Sequence, residues 1–106
     1  MARYAKRLAQ TALSATTTAI YTAPALTTAQ VTEIFITNTG TTQRTVNITT
    51  GGTFSTNSII IGLAVNGTAS VILEDKKIVI APSQILGAFQ NSGTDVVMTV
   101  FGVEEV

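Results

Sequence analysis

Six carboxylates and six cations are all the charged chemistry this 106-residue chain holds, and it has no histidine or cysteine. Glu33 with Glu74 or with Asp95 is the pairing that could work as acid and base on a glycosidic bond. The adjacent pairs Glu74-Asp75 and Glu104-Glu105 could not cooperate on a strand, where neighbouring side chains point to opposite faces. Without histidine or cysteine there is no Ser-His-Asp triad, Cys-His pair, thiolate metal site or disulfide. Gly51-Gly52 lacks the lysine and the following helix that a phosphate-cradling loop needs. Asn47-Ile48-Thr49 and Asn66-Gly67-Thr68 spell the N-glycosylation sequon, but no secretion signal accompanies them, so both read as chance in a Thr-rich chain. Lone surface carboxylates are the ordinary case, and the chain reads as non-enzymatic: no catalytic residue, no cofactor, no metal.

The elements that would position such residues are strands. Hydrophobic residues make up 45% of the chain, a normal share, while charged residues make up only 11%, against about 25% in an average domain. Threonine, roughly a fifth of the residues, fills the gap, and it favours pleated, half-buried surfaces. The formal net charge is zero, so no field draws the chain to nucleic acid or anionic lipid. The N-terminal residues lack the continuous apolar core of a signal peptide, and no stretch approaches a membrane span. The expectation is a cytosolic product that leaves by no ordinary export route and binds neither nucleic acid nor membrane.

Residues 31–37 and 44–50 are rich in β-branched types and flank a polar connector with Gly40, which predicts a β-hairpin. In the second run Val46 and Ile48 share one face, and Thr45, Asn47 and Thr49 the other. Residues 58–65, SIIIGLAV, predict a strand buried on both faces or lying in a subunit contact. Asn66-Gly67 then predicts a type I′ hairpin turn, with residues 69–74 pairing back. A charged turn at 75–77 and a short strand at 78–80 follow. Further strands are predicted at 16–21, 85–90 and 95–103. The whole is an all-β chain: a small antiparallel β-sandwich of about eight strands, with jelly-roll connectivity as the favoured form. Residues 1–14 read as an extended N-terminal arm and 15–106 as the single sandwich domain.

Three features point to assembly. The basic arm (Arg3, Lys6 and Arg7, with Tyr4 among them) faces an acidic terminus (Glu104, Glu105), and the two could clip together within or between subunits. The last strand is apolar on both faces, with Val97 and Phe101 opposite Val96, Met98 and Val100. The run holding Ile59 and Ile61 is equally apolar. Phe35, Phe54, Phe89 and Phe101 read as core or interface residues, and Tyr4 and Tyr21 as core-edge ones. Aromatics are only 6% and tryptophan is absent, which leaves little platform for sugar.

The segment from Leu13 to Ile48 resembles small virion proteins of tailed bacteriophages. The motifs that carry the likeness are a Thr-rich strand, the step Tyr21-Thr22-Ala23-Pro24, the turn Asn38-Thr39-Gly40 and the strand Val46-Asn47-Ile48. The likeness covers the first half of the chain, and the closing Gly102-Val103-Glu104 agrees with it. It implies a non-enzymatic β-sandwich subunit, above all a head decoration (cement) protein, with a neck or tail component as the alternative. A tail-tip or fibre module binding a host glycan or protein is a third reading. The implied partners are further copies of the chain, as in a homo-oligomer such as a trimer, and other virion proteins such as the major capsid protein. The implied location is the virion, assembled in the host cytoplasm.

Overall fold

The computed structural model describes residues 2–106, and of residues 75–77 the backbone alone. Eight strands carry the chain: β1 (Arg3–Ala12), β2 (Thr18–Thr22), β3 (Thr28–Asn38), β4 (Arg44–Thr49), β5 (Ser58–Val65), β6 (Ser70–Ile80), β7 (Ile85–Gln90) and β8 (Val96–Glu105), with one turn of helix, α1 (Phe54–Asn57), before β5. They form two four-stranded sheets, ordered β1-β8-β3-β6 and β2-β7-β4-β5. Every pairing is antiparallel. β1 pairs with β8, β2 with β7, β3 with β6 and β4 with β5, which is one long hairpin wound around itself. That is a jelly roll.

Alternation explains the core. On β8 the side chains of Val96, Met98 and Val100 are fully buried between the sheets, and on β4 those of Val46 and Ile48 face them. On β3 the inward set is Ala29 and Val31, then Ile34 and Ile36. The parity changes because Thr32 is an extra residue: Val31 pairs with Gly102 and Glu33 with Phe101. β1 bulges at the same level, at Leu8, where Lys6 pairs with Gly102, Arg7 with Phe101 and Ala9 with Val100. Bulges re-aim side chains and sharpen the local twist. Gly102 lies between the two extra residues, and a Cβ there would stand 2.3 Å from the Gln30 carbonyl oxygen and 2.8 Å from Leu8 Cδ1.

Two predicted hairpins are instead crossings between sheets. β3 and β4 belong to opposite sheets, so the 31–50 stretch is not a hairpin. The reason is Asn38, which is buried: its Nδ2 donates to the carbonyls of Thr42 (2.7 Å) and Val65 (3.1 Å), and its Oδ1 accepts from Gly40 N (3.0 Å). This side chain holds the chain in the bend that carries it across. β5 and β6 also lie in opposite sheets. Asn66-Gly67 does turn the chain, with Ala69 N donating to Asn66 O, but the positive φ falls on Thr68 (62° and 66° occur at Leu26 and Ser83, 55° here), so the turn is not type I′. It packs on the other crossing: Thr68 N donates to Gly40 O, and a Cβ on Gly67 would stand 2.3 Å from Thr41 O.

Other expectations change with the topology. β5 is an edge strand with one partner, and Ile59 and Ile61 are exposed rather than buried on both faces. β6 runs unbroken from Ser70 to Ile80, joining two predicted strands; the side chains of the expected charged turn at 75–77 lie outside the described set. None of the four phenylalanines is in the buried core. Replacing Gly102 with alanine is expected to destabilise the fold by about 1–3 kcal/mol through overpacking; urea unfolding would show it, and an unchanged midpoint would refute the close approach.

Candidate functional site

The terminal strands β1 and β8 bring the two charged ends of the chain together within one subunit. Arg3 pairs with Glu105 at 3.4 Å on the surface. Lys6 Nζ donates to Glu104 Oε1 at 2.9 Å, and Tyr21 OH donates to Glu104 Oε2 at 2.5 Å. Neighbouring strand positions point to opposite faces, so Glu105 faces outward and Glu104 inward, where it is buried. Tyr21 sits on β2 of the other sheet, so this trio ties the first strand, the last strand and the opposing sheet. Of the two ways the charged ends could clip together, Glu104 makes the one within the subunit.

The electrostatics follow from the contacts. The Tyr21 hydroxyl, then Lys6, hold the Glu104 carboxyl below its ordinary range, against the opposing pull of burial. Burial, then the bond to Glu104, pushes the Tyr21 hydroxyl well above its ordinary value of 10.0. A second tie closes the far end of the sandwich. Arg44 Nε donates to both oxygens of Asp95 (2.9 and 3.1 Å) and its Nη1 to Ser92 Oγ. The Arg44 guanidinium holds Asp95 below the usual carboxylate range, so Asp95 is committed to a structural pair. Glu33 and Glu74 are direct register partners on the outer face of β3 and β6. Asn47, of the first sequon, is buried and accepts from Gly62 N; Asn66 accepts from Gln43.

The remaining predicted interface residues lie on surfaces. Tyr4 is 56% exposed on β1, and Arg7 is exposed there with its Nη1 donating to Gln10 Oε1. Ile59 is 44% and Ile61 69% exposed on β5. Val97 is half-buried and Phe101 exposed on the outer face of β8, where Phe101 meets Phe35 edge-to-face at 5.7 Å. On the other sheet Phe54 of α1 meets Phe89 of β7 in the same way at 5.4 Å. Each sheet thus carries an aromatic pair on its solvent side. Sequence reasoning missed Ile72 and the Tyr21–Glu104 contact, and it singled out Glu33 only as a carboxylate and not for its place on the outer face. The outward positions were open to a period-two count, but the long-range contact was not.

The fold and these faces define a class: a two-sheet jelly roll whose outer surfaces hold apolar side chains among few charges. No protein-family model matches the sequence, and no curated protein matches it. Among solved structures, a chain of the T13 infectious bursal disease virus particle is similar, with a TM-score of 0.55 and 14% identity over 97% of this chain; this chain spans 30% of that one. Two others are a chain of the virus-like particle of giant freshwater prawn Macrobrachium rosenbergii extra small virus (TM-score 0.47, 11% identity, 99% of this chain and 79% of that one) and a chain of the Gx strain of infectious bursal disease virus (0.45, 13%, 97% and 31%). The first of these carries the likeness, which is one of fold.

The Glu104 tie makes stability depend on pH at both extremes. Glu104 is depressed, so its contribution is complete above the unfolded carboxyl value of 4.5 and is lost as pH falls through the folded value. Tyr21 is raised, so its contribution is complete below 10.0 and is lost as pH rises beyond it. Tyr21→Phe is expected to cost about 1.5–3 kcal/mol at neutral pH and to flatten the alkaline loss. Thermal unfolding followed across pH tests this; a variant with the wild-type profile would show that the contact contributes nothing.

Proposed function

We propose that this chain is a non-enzymatic structural subunit of a virus particle, acting through packing rather than chemistry. The observation that carries the reading is the jelly roll itself, which resembles a chain of the T13 infectious bursal disease virus particle along nearly its whole length. The surface supports it. With charge at only 11% of residues, the described outer faces and edges expose Phe54, Ile59, Ile61, Ile72, Val79 and Phe101.

The finer reading is a head decoration subunit of a tailed bacteriophage, for which the motifs between Leu13 and Ile48 are the support. Its partners are other copies of itself and the shell protein beneath. Arg3, Tyr4, Arg7, Ile59, Ile61, Val97 and Phe101 are the contact residues proposed. At about 25 cal/mol per Å², a few hundred Å² of apolar contact contributes several kcal/mol per subunit, repeated over the lattice. Residues 1–14 would act as the contacting arm, with residues 3–12 set along the sheet edge as β1.

Mass spectrometry of purified particles is expected to recover the chain in hundreds of copies, and particles lacking it are expected to open at lower temperature. A count of six or twelve would favour the neck or baseplate. Absence from particles would overturn the virion role, and unchanged heat resistance the cement role.

A further inference from the structure

The outer face of β1-β8-β3 carries a row of three residues in direct register. Arg7 of β1 and Glu33 of β3 are both Cα partners of Phe101 on β8, so a cation and an anion stand at equal strand spacing on either side of an aromatic ring. Beside the ring, the paired bulges at Leu8 and Thr32 open a depression of about 590 Å³ lined by Ala5, Arg7, Thr32, Glu33, Phe101 and Val103, among others. Phe101 is 37% exposed at its rim. Among the described residues Arg7 makes no ion pair, and its hydrogen bond goes to Gln10.

We propose that this face pairs with the same face of a second copy about a two-fold axis lying along β8. Rotation about that axis exchanges the positions of β1 and β3. It lays Arg7 of each copy on Glu33 of the other, sets the two Phe101 rings together over the depressions, and repeats both ion pairs by symmetry. A patch that is its own complement is what a two-fold interface requires. The other outward residues of β8 meet their own copies along the axis: Val97, Thr99 and Val103 do so without charge, and Glu105 brings its own Arg3 at 3.4 Å. The area suffices. Strands β1 and β8 of ten residues and β3 of eleven, at about 4.8 Å spacing and 3.3 Å rise, give a flat footprint of about 500 Å², which side-chain relief raises toward the roughly 600 Å² per partner at which specific interfaces begin.

The proposal deepens the self-association in the virion reading but does not depend on the particle. The test is sedimentation and light scattering of the purified full chain at about 100 µM. The wild type is expected to be a dimer or an even-numbered assembly. Phe101→Asp, with its far-UV spectrum unchanged, is expected to weaken association at least about tenfold. Arg7→Glu and Glu33→Arg should each dissociate alone, since both symmetric contacts become like-charged. Mixed in equal amounts they should reassociate, because each contact then joins opposite charges again. That recovery requires folded variants and reads out the geometry itself. A monomeric wild type, association indifferent to all three changes, or a mixture that stays apart would overturn this pairing. So would a wild type that binds another virion protein through Phe101 while remaining monomeric. None of these outcomes touches the virion assignment, which stands or falls on the presence of the chain in particles.

Discussion

Everything in this fold depends on closing two apolar sheet faces over each other while the chain crosses repeatedly between them. Each crossing brings backbone polar groups to the edge of a dry core, where an unpaired one is costly. Asn38 meets that demand at one end, satisfying two carbonyls and one amide from the residue that ends β3. Gln90 does similar work where β1 leads to β2, its Nε2 donating to the Leu13 carbonyl at 2.7 Å and its backbone N to Ser14 O. Buried amides of this kind decide where the chain leaves one sheet for the other, and the nested pairing of strands follows from those exits.

The first and last strands depend on a different closure. β1 has a single neighbour, β8, and an edge strand held by its ladder alone would be prone to peel away. Lys6, Glu104 and Tyr21 join that edge to the facing sheet through two charge-assisted bonds. The tie fixes where the edge strand lies against the opposing sheet. Its effect is to present β1, β8 and β3 as one firm surface, with the basic residues of the N-terminal segment in fixed register against β8.

Seen from outside, the same sheet departs from what a solitary domain would show. Polar side chains normally dominate the solvent face of an antiparallel sheet. Here Phe35, Phe101, Ile72 and Val79 occupy it together with a few charges. The second sheet shows Phe54, Phe89 and the isoleucines of β5. Threonine hydroxyls keep such faces wettable without the field that a dense charge coat would create. A chain with this surface is suited to repeated weak contacts with neighbours.

Much of this was legible in the residues. Alternation at Val46/Ile48 marked which face of that strand turns inward, whereas the last strand read as apolar on both faces; the run of strands with Gly-, Asn- and Pro-containing turns marked an all-β sandwich. The absence of histidine and cysteine removed whole classes of chemistry at once. What the residues could not declare was which strands pair. A connector such as 39–43 is short enough for a hairpin, and only the burial of Asn38 against Val65, far away in sequence, turns it into a crossing. Likewise the alternation of Glu104 and Glu105 could be counted, but not that Tyr21 would arrive from another sheet to hold the inner one. Local pattern sets the faces of a strand; partners distant in the chain set its neighbours, because sheet pairing is a contact between segments rather than a property of either.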